Sequence, residues 1–172
     1  MGVLVADVSG KGTSAALYMA ELKGLVLSLS RIYESPAKLL SEANRILAAH
    51  MDSRSFVTMT YAVVDTAARR MRYARAGHNP LIHFQARTGL TRVLTPAGLG
   101  LGLDPGDRFD EILEEDEVAL DPGDFFLFFT DGLSEAMNPG AELFGEGRLR
   151  RILEESGALG SEELKERILE GV

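Results

Sequence analysis

Apolar residues follow distinct rhythms along this chain, and each rhythm predicts a different element. Near the start, Val3-Leu4-Val5-Ala6 is an unbroken apolar run that reads as a buried strand. Burial on both sides requires a neighbour on each side, so this strand reads as the middle of a sheet whose earlier strand is absent. Over residues 13–31, apolar positions from Ala15 to Leu29 leave little polar face, which predicts a long helix covered on more than one side. Ser35-Pro36 supplies an N-cap and a first-turn proline. After it, Leu39, Leu40, Ala43, Ile46, Leu47 and His50 recur at helical spacing.

The period then changes to two. Residues 56–64 and Arg70–Ala76 read as a hairpin, followed by strands near Leu81–Gln85 and Leu90–Leu94. A glycine-rich loop over 97–102 leads to expected strands near 109–113 and 117–120. Asp121-Pro122-Gly123-Asp124 is a tight turn. Phe125-Phe126-Leu127-Phe128-Phe129 reads as a central strand, because such a run cannot face water on either side. Helices near 146–156 and 161–169 close the chain. Strands and helices in separate blocks favour an α+β class over a βαβ repeat, and no repeat or linker divides residues 1–172 into more than one domain.

Composition removes whole classes of chemistry. There is no cysteine, so disulfide scaffolds, zinc-thiolate sites and thiol nucleophiles are excluded. The net charge of −8 and pI near 4.9 argue against nucleic-acid binding, which needs a clustered basic face. Ten acids and one base, Arg108, fall between Asp104 and Asp124; this run reads as solvated strands or loops. No uncharged stretch is long enough to cross a bilayer and no signal segment precedes an apolar region, so the expectation is a soluble cytoplasmic domain without membrane contact.

Two features match each other. Val5-Ala6-Asp7 and Phe129-Thr130-Asp131 both end an apolar run in aspartate before a sharp turn. Each aspartate could bond its own turn. Alternatively the strands are neighbours, the carboxylates meet at one edge, and a divalent cation relieves their repulsion; the pair taken together favours the cation. With no cysteine and only His50, His78 and His83, the expected guest is Mg²⁺ or Mn²⁺. Ser9-Gly10-Lys11-Gly12-Thr13 fails the P-loop spacing, but its glycines allow the backbone to approach a metal, with the Val8 carbonyl as a candidate ligand. His78 and Asn79 end a hairpin strand before Pro80, and Glu135 falls one helical turn beyond Asp131. No Ser-His-Asp order with a nucleophile elbow is present.

Four motifs then occur in order: Val5-Ala6-Asp7-Val8-Ser9-Gly10-Lys11-Gly12, Ala76-Gly77-His78-Asn79-Pro80, Phe129-Thr130-Asp131-Gly132-Leu133-Ser134-Glu135-Ala136 and Phe144-Gly145. Together they resemble the bacterial stage-II-sporulation-E-like, RsbU-type serine phosphatases of the PP2C (PPM) superfamily. The resemblance implies an α-β-β-α sandwich of antiparallel sheets with two Mn²⁺ or Mg²⁺ ions at one edge. It implies Asp7 bridging both ions, the Val8 carbonyl on one and Asp131 on the other, with Glu135, His78 and Asn79 as accessory positions. It also implies hydrolysis of phosphoserine or phosphothreonine on an anti-sigma-factor-antagonist-type protein, under control of an upstream sensory domain or a homodimer partner acting through the helix after Gly12.

Two family motifs are missing from this sequence: a Gly-Asp-Tyr-Tyr-Asp-like strand before the first one here, and an Asp-Asp-x-Thr strand after the last helix. The resemblance therefore implies a domain truncated at both ends with a weakened metal site. The alternative expectation is a catalytically impaired PP2C-like interaction module.

Overall fold

The computed structural model describes residues 1–52 and 54–172. In chain order the elements are β1 (Gly2–Val8), α1 (Thr13–Leu29), α2 (Pro36–Ala48), β2 (Val57–Asp65), β3 (Arg70–Ala76), β4 (Leu81–Gln85) and β5 (Leu90–Leu94). Then come α3 (Asp107–Ile112), β6 (Glu115–Ala119), β7 (Phe125–Leu127), α4 (Asp131–Ser134), α5 (Glu146–Glu155) and α6 (Ser161–Gly171). They fall into two compact units, Met1–Asn79 with Thr95–Leu120, and Pro80–Leu94 with Asp121–Val172. Among the described residues no helix is long and apolar enough to cross a membrane.

The first unit holds a four-stranded sheet in the order β1-β2-β3-β6, with antiparallel neighbours throughout. Side chains alternate across a strand. One face therefore carries Val8, Val57, Met59, Tyr61, Ala74 and Ala76, which pack against Leu22 and Val26 of α1 and Leu39, Leu40, Ala43 and Leu47 of α2. The other face carries Val5, Asp7, Thr58, Thr60 and Arg75. The helix cap read at Ser35 is present: its Oγ accepts from Lys38 N and donates to Glu115 Oε2 at 2.5 Å, and Glu115 also accepts from Ala37 N at 2.9 Å. A strand carboxylate thus satisfies a helix-start amide that would otherwise be orphaned.

β1 lies at the edge of this sheet, with Leu4 exposed, and among the described residues pairs with β2 alone, in line with the expectation of a strand without its earlier neighbour. Two expectations need correction in this unit. α1 buries only Leu22, Val26 and Leu29, while Leu17 and Leu27 are 65% and 60% exposed, so it is covered along one stripe. Residues 109–113, expected as a strand, lie in and just after α3: Phe109, Ile112 and Leu113 are spaced as one helical face, not as an alternation. The strand that follows is β6, two residues earlier than expected.

The second unit holds a three-stranded antiparallel sheet in the order β5-β4-β7. β4 is central, and Leu81, Ile82, His83 and Phe84 are all buried. Leu149 and Leu153 of α5 and Leu164 and Ile168 of α6 form its core with Ile82, Phe129 and Phe144. Gly157 sits so close to the Phe84 ring that a Cβ there would lie 2.1 Å from Cζ. The phenylalanine run is not a central strand. β7 is a three-residue edge, and Phe125 to Phe129 line an apolar cavity of about 430 Å³ beside α6. Phe125 stacks on Phe84 and Phe126 on His83, so aromatic contacts reinforce the pairing of β7 with β4.

Candidate functional site

Asp7 is the penultimate residue of β1 and lies half-buried on the face turned away from α1 and α2. Val8 points its side chain into the core, so only its backbone can serve a ligand at this edge. The chain then reverses through Gly10 and Gly12, both at positive φ (88° and 87°), a conformation that suits glycine alone without strain. Reciprocal bonds with Phe56 anchor this turn: Ser9 N donates to Phe56 O at 2.9 Å, and Phe56 N donates to Ser9 Oγ at 2.8 Å. α1 starts at once afterwards.

Register places Thr58 of β2 opposite Asp7. The Thr58 hydroxyl is hydrogen-bonded to Nδ1 of His78 at 2.8 Å, and His78 is 3% exposed. His78 follows Gly77, another positive-φ position, at the end of β3; Asn79 beside it is half-buried. Arg75 fixes this turn from below, donating through Nη1 to His78 O at 2.6 Å and through Nε to Pro96 O at 3.1 Å. Burial without a carboxylate partner holds the Arg75 guanidinium below the usual arginine range. The first unit therefore brings Asp7, Thr58 and His78 together along one sheet edge.

In the second unit Asp131 opens α4, a single turn with Thr130 at its N-cap. Glu135 closes that turn by donating its N–H to Asp131 O at 2.7 Å, and Ser134 Oγ donates to the same carbonyl. Both Asp131 and Glu135 are exposed. Neither the Asp7 nor the Asp131 carboxylate accepts a hydrogen bond or joins an ion pair among the described residues, so neither is spent on its own turn. No group of three or more His, Asp or Glu side chains among the described residues assembles to hold a metal ion. Thr58 and Arg75 were not among the residues singled out from sequence. Cross-strand register sets Thr58 opposite Asp7, whereas Arg75 reaches His78 O three residues on and Pro96 O in a loop; the sequence signal for Thr58 is its alternation with Val57 and Met59, which Thr60 continues.

A family model described as Stage II sporulation protein E (SpoIIE) matches residues 1–172. The chain is 29% identical to phosphoserine phosphatase RsbU of Bacillus subtilis over 100% of its own length and 50% of that protein's. It thus spans about half the length of this relative. Among solved structures, the SiaA-PP2C domain of Pseudomonas aeruginosa aligns with a TM-score of 0.77 at 23% identity, over 98% of this chain and 65% of that one. The catalytic domain of serine/threonine protein phosphatase PstP, in complex with two manganese ions, aligns with a TM-score of 0.65 at 14% identity, over 99% of this chain and 81% of that one. The α+β fold is that of PP2C-like domains along the whole chain.

Proposed function

The chain belongs to the stage II sporulation protein E family, and from that premise we propose that it is a metal-dependent phosphatase acting on phosphoserine or phosphothreonine. The observation that carries this reading is the pair of aspartates, each ending an apolar stretch at a sharp turn, each with no partner among the described residues. A carboxylate left without a hydrogen bond in a half-buried place such as that of Asp7 is costly unless something else neutralises it. The donors fit hard divalent ions in kind: carboxylates at Asp7 and Asp131 and the Val8 carbonyl, with no sulfur. Asp7 would hold both ions of a pair, Val8 one and Asp131 the other, with Glu135, His78 and Asn79 as accessory positions. Such ions, when bound, supply hydroxide from water near neutral pH and neutralise phosphoryl charge.

The chain's own residues do the positioning. The Thr58–His78 pair shapes the edge beside Asp7, and Arg75 holds the His78 turn in place. The substrate in this reading is an anti-sigma-factor-antagonist-type phosphoprotein, with control passed from an upstream sensory domain or a second copy through α1. Hydrolysis of a phosphoserine peptide with added Mn²⁺ tests it. Asp7→Asn and Asp131→Asn should each lower turnover at least about a hundredfold, with unchanged thermal unfolding. Turnover that survives both substitutions would remove the aspartates from the chemistry. One observation favours a second reading, an interaction module without turnover: no three-ligand cluster is assembled among the described residues. Calorimetric titration with Mn²⁺ showing no heat, together with no turnover, would establish that reading instead.

A further inference from the structure

We propose that a polar cavity beside the Ser9–Gly12 turn is a subsite for an acidic side chain flanking the phosphorylated residue of the substrate. The proposal rests on the phosphatase reading above, because this turn runs on directly from Asp7. The cavity has a volume of about 390 Å³ and is walled by Ser9, Lys11, Ser14, Tyr18, Asp52 and Arg54, all in the first unit.

Its chemistry is that of an anion acceptor. Lys11 and Arg54 both line it, and neither joins an ion pair or hydrogen bond among the described residues. The neutral groups are arranged to donate. Ser9 Oγ already accepts from Phe56 N, and the Tyr18 hydroxyl accepts from Asp52 N at 3.2 Å. Each oxygen accepts one bond, and neither O–H is donated to a partner among the described residues, which leaves both free to donate to a ligand. Ser14 adds a third hydroxyl. The opposing charge is Asp52, whose carboxylate offsets one of the two cations and leaves the lining with one net positive charge; its backbone is tied down, the N–H donating to the Tyr18 hydroxyl and the carbonyl accepting from Ser55 N.

The two cations come from distant segments, one after β1 and one before β2. Their separation is set by the reciprocal Ser9–Phe56 bonds and by the pairing of Val8 with Val57. In a chain of net charge −8, Lys11 and Arg54 against the single Asp52 give this cavity a net positive lining beside several hydroxyls. An acidic peptide repelled elsewhere on the surface is steered to such a place. Singly charged carboxylates suit two exposed cations with neutral donors, whereas the phosphoryl group belongs with the aspartates.

The test is fluorescence anisotropy on the full chain with labelled peptides and no added metal, so that binding is read independently of turnover. A serine peptide flanked by glutamates should bind about fivefold more tightly than its glutamine-flanked twin, with the preference shrinking as salt is raised. Lys11→Glu combined with Arg54→Glu should abolish the preference, while Lys11→Arg keeps it; far-UV circular dichroism checks that both variants are folded, and the milder pair Lys11→Gln with Arg54→Gln serves if the reversal is not. Equal binding of the two peptides, or a preference that survives in the folded double variant, overturns the proposal. So does a glutamine-flanked phosphoserine peptide that shows the same preference and loses it on double substitution, because the cavity would then hold the phosphate itself. An inactive chain that still prefers the glutamate peptide refutes the phosphatase reading and leaves the subsite standing; turnover with no preference does the reverse.

Discussion

Asp124 gives the sharpest test of how the second unit is held together. Its side chain is 5% exposed and ends the Asp121-Pro122-Gly123-Asp124 turn, where Asp124 N bonds Asp121 O. One carboxylate oxygen accepts from His83 Nε2 at 2.7 Å and the other from Ala86 N at 2.9 Å, so a single residue ties the entry of β7 to the middle of β4 and to the residue just after it. A carboxylate can only accept, so His83 carries its proton on Nε2, and its buried Nδ1 is left with no partner. Asp124→Ala would strand two further donors beside that unsatisfied nitrogen. Each buried orphan costs about 1–3 kcal/mol. Water can reach the Ala86 end, where the chain is exposed, so about 3 kcal/mol is the expected total. For a chain of this size that is about 9 °C in Tm. Asp124→Asn keeps one acceptor oxygen and should lose about half as much. Far-UV circular dichroism melts of the wild type, both variants and His83→Phe complete the measurement. His83→Phe preserves the stack on Phe126 but removes the donor, so the cycle with Asp124→Ala should show coupling of about 1 kcal/mol or more. A shift below about 3 °C for Asp124→Ala would mean the pair contributes little, and the assignment of orphaned donors would be wrong.

Two further outcomes follow from the same structure. Gly98→Ala should abolish soluble expression or lower Tm by about 6 °C or more, because its Cβ would lie 1.8 Å from the Arg75 carbonyl oxygen; Gly24→Ala, with nothing within 4 Å, should raise stability slightly through helix propensity, and melts of both variants check the contrast. Glu154 accepts from the Thr91 hydroxyl and Thr91 N, and these bonds, the hydroxyl first, hold its carboxyl below the usual glutamate value of 4.5. A depressed carboxylate stabilises the fold fully above that unfolded value and loses its contribution as pH falls through the folded one. Urea unfolding from pH 7 down to pH 3 should therefore show Glu154→Gln less stable than wild type at the upper end and convergent with it at the lower, while a constant gap would exclude this linkage.

What could be read from sequence, and what could not, divides along one physical line. α2 was legible because Ser35-Pro36 and a single apolar stripe are local signals, and β2 to β5 because their alternation and turns need no knowledge of neighbours. The main misreading concerns company. The phenylalanine run is apolar enough for burial on two sides, yet among the described residues β7 pairs on one side only. Apolarity records what a strand tolerates, whereas its place in the sheet is decided by which other strands pair with it. α3 shows the converse, a short segment whose i, i+3, i+4 spacing was present but outvoted by the strands around it. The candidate site obeys the same division. Asp7 and Asp131 stand out because an apolar run stopping at an acid is a local event, and their lack of partners among the described residues is what raises them above ordinary turn residues. Thr58 gains its role from standing opposite Asp7, a residue far along the chain, and Arg75 from joining the His78 turn to Pro96. Register is the quantity that carries that information, and it emerges only when β1, β2 and β3 are aligned. A substitution that shifts β2 by one residue would turn Thr58 onto the α1 side of the sheet and take its hydroxyl away from His78, while leaving every local signal intact.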